Sequence, residues 1–365
     1  MTSLSSPARG LAGVVAADTV LSHVDGAGGR LIIRGVAVED LAGQSSYEDA
    51  AALLLGGFVA DTDVASIRAG IGNGRAEAYR RFTGRLDSSA PRDPVEAMRF
   101  LLASIGDDDA LSDPAALIGA TGMAAAMAIR AAAGLATAEP DAALPHALDL
   151  QRLICGVLPA PAEARAFETY LVTVIDHGLN ASTFTARVVA STESGLVSAV
   201  VAALSALKGR LHGGAPGPVL DMLDAIGSPD RAEAWIEERL DRGERIMGFG
   251  HRAYRVRDPR ADVLRQAIAA VGDGAGRLAL ARAVEQAALA VLARRKAGRR
   301  LDVNVEFYTA LLLERLGIHR EAFTAVFAAG RVAGWIAHAL EQQRSGGLIR
   351  PDARYVGPEP LARSA

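Results

Sequence analysis

Apolar residues, chiefly Ala and Leu, recur along the chain in runs that Asp-Pro pairs and glycines interrupt. Ser46 stands where a helix N-cap is expected, before a run through Leu55 that Gly56-Gly57 stops. Further helices are predicted to begin near Asp63, after Asp93-Pro94 and after Asp113-Pro114. In each Asp-Pro pair the Asp caps the helix and the Pro takes its first position, where its missing N–H is not needed. Gly70-Ile71-Gly72-Asn73-Gly74 reads as a turn; with no strand before it and no Lys-Ser/Thr after it, it is no nucleotide loop. The stretch 136–145, rich in Ala, Pro and acid, reads as a loop that tolerates change. The helical pattern resumes at Ala162 and leads into Asp176-His177. Leu196 to Leu207 is predicted as a central buried helix, closed by Lys208-Gly209 with His212-Gly213-Gly214 directly behind it. Pro216 and Pro218 mark a hinge, after which helical segments run to about Ile318; one more long helix follows from Arg320 through Gln343. β-type runs Thr19–Val24 and Arg30–Arg34 flank Asp25–Gly29 and predict a hairpin, the one sheet expected.

Composition agrees with a helical, core-forming chain. Of 365 residues, 50% are hydrophobic, 22% charged and only 5% aromatic, which favours helices over sheets. A net charge of −3 excludes a general pull toward nucleic acid, so an anionic ligand would need local arginines. Cys155 is the single cysteine, which excludes an internal disulfide and a cysteine metal cluster and fits a reducing cytoplasm. The start MTSLSSPARG lacks the apolar core of a signal peptide. The run from Pro114 to Ile129, ended by Arg130, falls short of the roughly 20 apolar residues of a membrane span and reads as a core helix. Neither nucleic acid nor membrane is expected as a partner.

Candidate chemistry concentrates in RIMGFGHRAYRVRDPR, Arg245 to Arg260. Gly248 and Gly250 flank Phe249 and allow close approach of a ligand to the main chain before His251. Asp258 and Pro259 start a helix whose first turn holds Arg260, beside N–H groups that attract anions. The combination describes a site for a small carboxylate or phosphate. Among the other histidines, His177 and His212 also lie at helix ends or glycine turns. His23, His146 and His319 read as surface or structural, and His338 as packed on an apolar helix face. No His-x-x-x-His pair and no Gly-x-Ser-x-Gly elbow occurs, so neither a helical metal site nor a serine hydrolase is expected. Asn304 is placed to cap a helix carrying Glu306 in its first turn, where the helix dipole favours the carboxylate form. Acids are ordinary in first turns, so the residues alone leave Glu306 open between base and cap. Likewise they make Arg331 a helix-surface charge and Arg350 a tail residue. The cluster Arg294, Arg295, Lys296, Arg299, Arg300 reads first as a solvated helix end, with attraction of a polyanion as the alternative.

GFGHRAYRVRDPR resembles the signature of the citrate synthases. DHGLNASTFTAR from Asp176, LHGG from Leu211 and NVEFY from Asn304 agree in the same order, and GRLIIRGVAVEDLA from Gly29 and RYVGP from Arg354 resemble the family's two ends. The similarity therefore spans nearly the whole chain and is nearest to the short bacterial enzymes. It implies condensation of acetyl-CoA, a co-substrate and not a resident cofactor, with oxaloacetate. By the matched motifs, Glu306 would act as base in place of the family's Asp. His212 would stabilise the enol or enolate, and His251 would donate to the oxaloacetate carbonyl. His177, Arg260 and Arg331 would hold oxaloacetate, with Arg350 supplied by the second subunit of a homodimer. Arg255 would meet a CoA phosphate, and the backbone from Met247 through Gly248, Phe249 and Gly250 the adenine.

The resemblance further implies an all-α fold of two domains with the small β-hairpin. Residues 1–213 and 318–365 would form a large dimer-forming domain, and residues 214–317 a small CoA-binding domain that closes over the site. Glu306 is one methylene longer than Asp, which places its carboxylate about 1 Å off unless the backbone compensates, a displacement that can cost on the order of 10²-fold in rate. Two alternatives stay open: a 2-methylcitrate synthase using propionyl-CoA, and a catalytically weak paralogue that binds CoA or dicarboxylates.

Overall fold

Aspartates start the helices where the Asp-Pro pairs predict. Asp93 Oδ1 accepts from the backbone N–H groups of Val95 and Glu96, and Asp113 Oδ1 from those of Ala115 and Ala116. Ser46 and Asp49 form a reciprocal capping box. The computed structural model describes residues 9–11, 13–86, 93–214, 216–251, 253–272, 276–295 and 301–358. Within them lie α1 Val38–Leu41, α2 Tyr47–Leu55, α3 Val64–Phe82, α4 Pro94–Leu102, α5 Pro114–Ala132, α6 His146–Cys155, α7 Pro161–Thr173 and α8 Ala181–Ala190. The order continues with α9 Leu196–Leu207, α10 Gly217–Ile226, α11 Ala232–Asp241, α12 Pro259–Val271, α13 Arg277–Arg295, α14 Val305–Arg315 and α15 Phe323–Ser345. The fold is all-α apart from one small sheet. The expected hairpin is β1 Ser22–Asp25 paired antiparallel with β2 Arg30–Ile33, and a two-residue β3, Val36–Ala37, extends it. Residues 1–8, Arg252, Lys296, Arg299 and Arg300 lie outside the described residues, so the leader and most of the basic-cluster reading lie there too.

The long helix α15 runs through the middle and packs on α2, α5, α7, α8 and α9. A short 3-10 turn, Arg320–Ala322, precedes it where one continuous helix was expected. Arg320–Arg344 and α5 are long and apolar enough to cross a membrane, but 83% and 72% of these stretches are buried inside the protein, which makes them core helices. On α9, Val197, Val200, Ala203, Leu204 and Leu207 are buried while Leu196 and Val201 are only partly so. One face of this helix is therefore not central.

Two loop readings change. Gly70 to Gly74 is the middle of α3, not a turn. A Cβ on Gly72 would lie 2.2 Å from the Ala142 carbonyl oxygen, and one on Gly74 2.2 Å from that of Ala116. On the facing helix α5, a Cβ on Gly119 would lie 2.0 Å from the Ile71 oxygen. The glycines serve contact between backbones, which periodicity does not report. The 136–145 loop is also pinned, because buried Arg75 donates to the carbonyls of Asp141 and Leu144 as well as to Asp149. Helix propensity favours Ala over Gly by about 1 kcal/mol, so any loss on substitution measures the collision. Gly119→Ala is expected to lower the unfolding free energy by about 1–3 kcal/mol in urea titrations. Gly106→Ala, where a Cβ meets nothing within 4 Å, is expected to change it by less than about 0.5 kcal/mol. Equal effects would contradict the packing argument.

Candidate active site

The glycine turn before His251 is held by pairing with the chain that enters α14. Gly250 N–H donates to Asp302 O at 2.8 Å, and Asn304 N–H to Gly248 O at 2.9 Å, around the bridge between Phe249 and Val303. Gly248 and Gly250 both have φ of +80°, the left-handed region that glycine adopts without strain. Phe249 meets Phe307 edge to face at 5.5 Å. The turn that presents His251 and the helix that presents Glu306 are thus one hydrogen-bonded unit.

Asp258 ties Arg260 into it. Its Oδ1 accepts from Arg260 N (3.1 Å) and Nε (3.0 Å), and its Oδ2 from Arg260 NH2 (2.9 Å). Oδ2 also accepts from Val305 N at 3.1 Å, so one carboxylate caps α12 and α14 together. Asn304 sits at the N-cap position of α14 but does not cap with its side chain; its Nδ2 donates to Gly250 O at 2.8 Å. Asp258 has taken over that duty.

His251 Nδ1 accepts from the backbone N–H groups of Ala253 (3.0 Å) and Tyr254 (3.2 Å). Two donors at Nδ1 assign the ring proton to Nε2. Nε2 lies 3.2 Å from Arg260 NH2, so two donors face each other with no acceptor between them. A carbonyl or carboxylate oxygen placed there would accept from both. His177 Nε2 lies 3.1 Å from the Tyr254 hydroxyl, and its ring meets that of His251 edge to face at 5.5 Å. His212 Nε2 is 2.8 Å from Ser182 Oγ, which also accepts from Trp335 Nε1 at 3.1 Å. Ser182 Oγ lies 2.8 Å from Asn180 Oδ1 as well, so its one proton can go to either neighbour.

Arg331 is not a surface charge. It is 1% exposed on α15, its Nε donates to Val174 O, and its guanidinium lies 4.8 Å over the Phe327 ring. His177 is within electrostatic range of Arg260, His251, Arg331 and His212 at once. Glu306 faces Arg260 and Asp258, and its Oε2 is buried with no hydrogen-bond partner among the described residues. Sequence reasoning therefore named most of the groups brought together. It missed Tyr254, Ser182 and the second cap made by Asp258, whose links to His177, His212 and α14 leave no mark in spacing. Arg255 is exposed, and its backbone N–H donates to Gly26 O at 2.7 Å. Arg350 lies apart, on an exposed extended tail.

Burial sets the charge states. Burial and then the Arg260 charge push His251 down to about 4; burial and then Arg331 do the same to His212. His177 falls well below the usual range through burial, then Arg260. Burial raises Glu306, Arg260 opposes this, and Asp258 adds to it. Burial brings Arg331 down to about 10 against the pull of Asp176. Burial pulls Arg260 down, but the charge and hydrogen bond of Asp258 together with Tyr254 and Glu306 outweigh it and hold the guanidinium above its ordinary range. The site therefore offers neutral imidazoles as donors beside two arginines and one carboxylate.

These shifts predict a pH dependence of folding. His177, His212, His251 and the structural His146 all titrate lower in the folded chain than the ordinary value of about 6.5. As pH falls from about 6.5 toward 4, the unfolded chain binds protons that the folded chain refuses, so their contribution is present above that window and lost within it. Buried Glu168 and Glu306, shifted upward, act in the opposite sense but are the smaller set. The thermal midpoint should fall steadily between pH 7 and about pH 4.5 in calorimetry. A flat or rising midpoint would contradict the neutral assignments.

A family model described as citrate synthase, C-terminal domain, matches residues 10–352. A putative citrate synthase 2 of Mycobacterium tuberculosis is 40% identical over 367 residues, covering 96% of this chain and 93% of that protein. A 2-methylcitrate synthase of the same organism is 35% identical, covering 96% and 91%. A citrate synthase of Thermoplasma acidophilum, solved with carboxymethyl coenzyme A and oxaloacetate, superposes with a TM-score of 0.83 at 26% identity, covering 98% of each chain.

Proposed function

The chain belongs to the citrate synthase family, and from that premise we propose that it condenses acetyl-CoA with oxaloacetate to citrate and CoA. The observation that carries this reading is the pair of facing donors, His251 Nε2–H and Arg260 NH2, beside the Glu306 carboxylate, whose Oε2 has no hydrogen-bond partner among the described residues. An α-keto dicarboxylate supplies the oxygens that the donors need, and a weakly acidic methyl group supplies the proton that the carboxylate can take.

The steps follow from the charge states. A methyl group next to a thioester is too weakly acidic for a carboxylate alone. Glu306 takes the proton while His212 donates to the thioester oxygen. When the Ser182 hydroxyl turns its proton from Asn180 Oδ1 to Nε2, the proton of His212 sits on Nδ1, which makes no hydrogen bond among the described residues. A preorganised donor of this kind contributes about 2.7–4 kcal/mol. The enolate carbon then attacks the oxaloacetate carbonyl, whose oxygen gains charge and accepts from His251. Arg260, Arg331 and His177 hold the dicarboxylate. Water hydrolyses the resulting thioester and releases citrate and CoA.

Residues 214–317 form, on this reading, the lobe that closes and excludes water. In support, α12 and α14, with Arg260 and Glu306, fall inside that range, while His177, His212 and Arg331 fall outside it. Arg255 and the turn Met247 to Gly250 meet CoA. A homodimer follows from Arg350, whose exposed tail position suits a contact with the second copy's site. A cytoplasmic location suits charged substrates that do not cross membranes, and the product would feed the tricarboxylic acid cycle. Propionyl-CoA is the second reading, favoured by the 35% identity to a 2-methylcitrate synthase. One methylene is worth only about 1–3 kcal/mol of discrimination.

A thiol-release assay with oxaloacetate and either acyl-CoA tests the reading. Glu306→Gln and His251→Ala should each lose at least about 10²-fold in kcat with the thermal midpoint kept near that of the wild type. Full activity in Glu306→Gln would remove the base, and a wild type that releases no CoA with either substrate would leave a CoA- or dicarboxylate-binding protein. Because Glu306 is raised in the free enzyme, the acid limb of kcat/KM should lie above the ordinary Glu value of about 4.3. A limb below it would contradict the burial argument.

A further inference from the structure

The last turn of α15 carries a polar assembly that the reaction itself does not use. Arg187 on α8 is 1% exposed, and its Nε donates to Gln342 Oε1 at 3.0 Å. Its NH1 reaches Glu341 Oε2 at 2.5 Å and His338 Nδ1 at 3.1 Å. Gln342, 4% exposed, spends its amide in two directions: the oxygen accepts from Arg187, and Nε2 donates to Gly347 O at 3.0 Å. With Arg187 as donor on one side, the O and N assignment of this amide is determined. Gly346 between them has no room for a side chain, since a Cβ would lie 2.0 Å from Gln342 Nε2. Two residues beyond Gly347, Ile349 N–H donates to Ser191 Oγ at 3.1 Å, at the C-terminal end of α8. Arg350 is the next residue. The chain leaving α15 is thus tied twice just before Arg350, once to Gln342 on α15 itself and once to Ser191 at the end of α8, although the tail itself is exposed.

We propose that Gln342, clamped by Arg187, is a positioning residue that sets the direction in which the tail leaves α15 and so delivers Arg350 to the oxaloacetate site of a second copy of this chain. The proposal rests on the reading of Arg350 given above. The amide does for the tail what a cap does for a helix: it satisfies a backbone carbonyl from a buried, fixed donor. An untethered tail would have to lose its freedom on each binding event, which weakens binding without removing any contact to substrate. The consequence is confined to the dicarboxylate, because Arg187 and Gln342 lie on α8 and α15, away from the turn proposed to meet CoA.

Gln342→Glu is the selective variant: it keeps an oxygen for Arg187 and loses the N–H that Gly347 accepts. Gln342→Leu removes both bonds at similar volume. For both, the KM for oxaloacetate should rise about tenfold, a loss of about 1.4 kcal/mol, while the KM for acetyl-CoA stays within about twofold and sedimentation still shows the dimer. In an Arg350→Ala background, either change should have no further effect on the KM for oxaloacetate, because residues that act through one contact are not additive. An unchanged oxaloacetate KM in both Gln342 variants, or full additivity with Arg350→Ala, would overturn the positioning role alone. An unchanged KM in Arg350→Ala itself would overturn the tail reading and this proposal together. A parallel rise in both KM values would show a general structural defect and overturn the proposal as well.

Discussion

One carboxylate governs the geometry of the site. Asp258 accepts the fork of Arg260 on one side and the first N–H of the Glu306 helix on the other. Asp258 and Arg260 are 1% and 4% exposed, so the pair works where water does not screen it. Deleting one partner of such a pair leaves a buried charge unpaired, at about 3–5 kcal/mol. The ion pair is therefore less a source of net stability than a constraint. It sets the distance between the group proposed to bind substrate carboxylate and the group proposed to take a proton. The pairing of residues 248–250 with 302–304 adds His251 to the same unit.

The polar groups left over are what give the site its reactivity. A protein interior ordinarily satisfies its donors and acceptors. Here Nε2–H of His251 faces another donor, Glu306 Oε2 has no hydrogen-bond partner among the described residues, and burial keeps the imidazoles neutral near neutral pH. Neutral donors suit an oxygen that gains charge during reaction, since they stabilise it without a proton having to be supplied from water. The small N-terminal sheet takes part from outside: Gly26 O accepts from Arg255 N, and a Cβ at Gly26 would lie 2.1 Å from the Ala253 oxygen. The turn of the hairpin thus rests on the loop that follows His251.

Much of this was legible in the chain, for a physical reason. Caps and glycine turns are local, so Asp258-Pro259, Asp93-Pro94 and the turn at Gly248 to Gly250 announce themselves in three or four residues. Motif resemblance added what spacing does not hold, above all a place in the site for Arg331, which by pattern alone was a surface charge. The failures were all tertiary. The glycines at 70, 72 and 74 mark close packing and not a turn, because only their partners explain them: α5 for Gly70 and Gly74, and the loop at Ala142 for Gly72. The cap of α14 comes from Asp258, far back in the chain, while Asn304, the obvious local candidate, faces Gly250 instead. Ser182 meets both His212 and Trp335 only because α8, α15 and the end of α9 converge.

The most direct test of this account is Asp258→Asn, in which one oxygen must serve both helices. Either the Arg260 fork or the Val305 N–H then loses its acceptor, and a shift of about 1 Å at either group can cost on the order of 10²-fold. The account predicts that kcat falls and the KM for oxaloacetate rises together, with the chain still folded by circular dichroism. A variant that turns over at the wild-type rate with an unchanged KM for oxaloacetate would show that Arg260 and Glu306 are held independently, and the central constraint would be wrong.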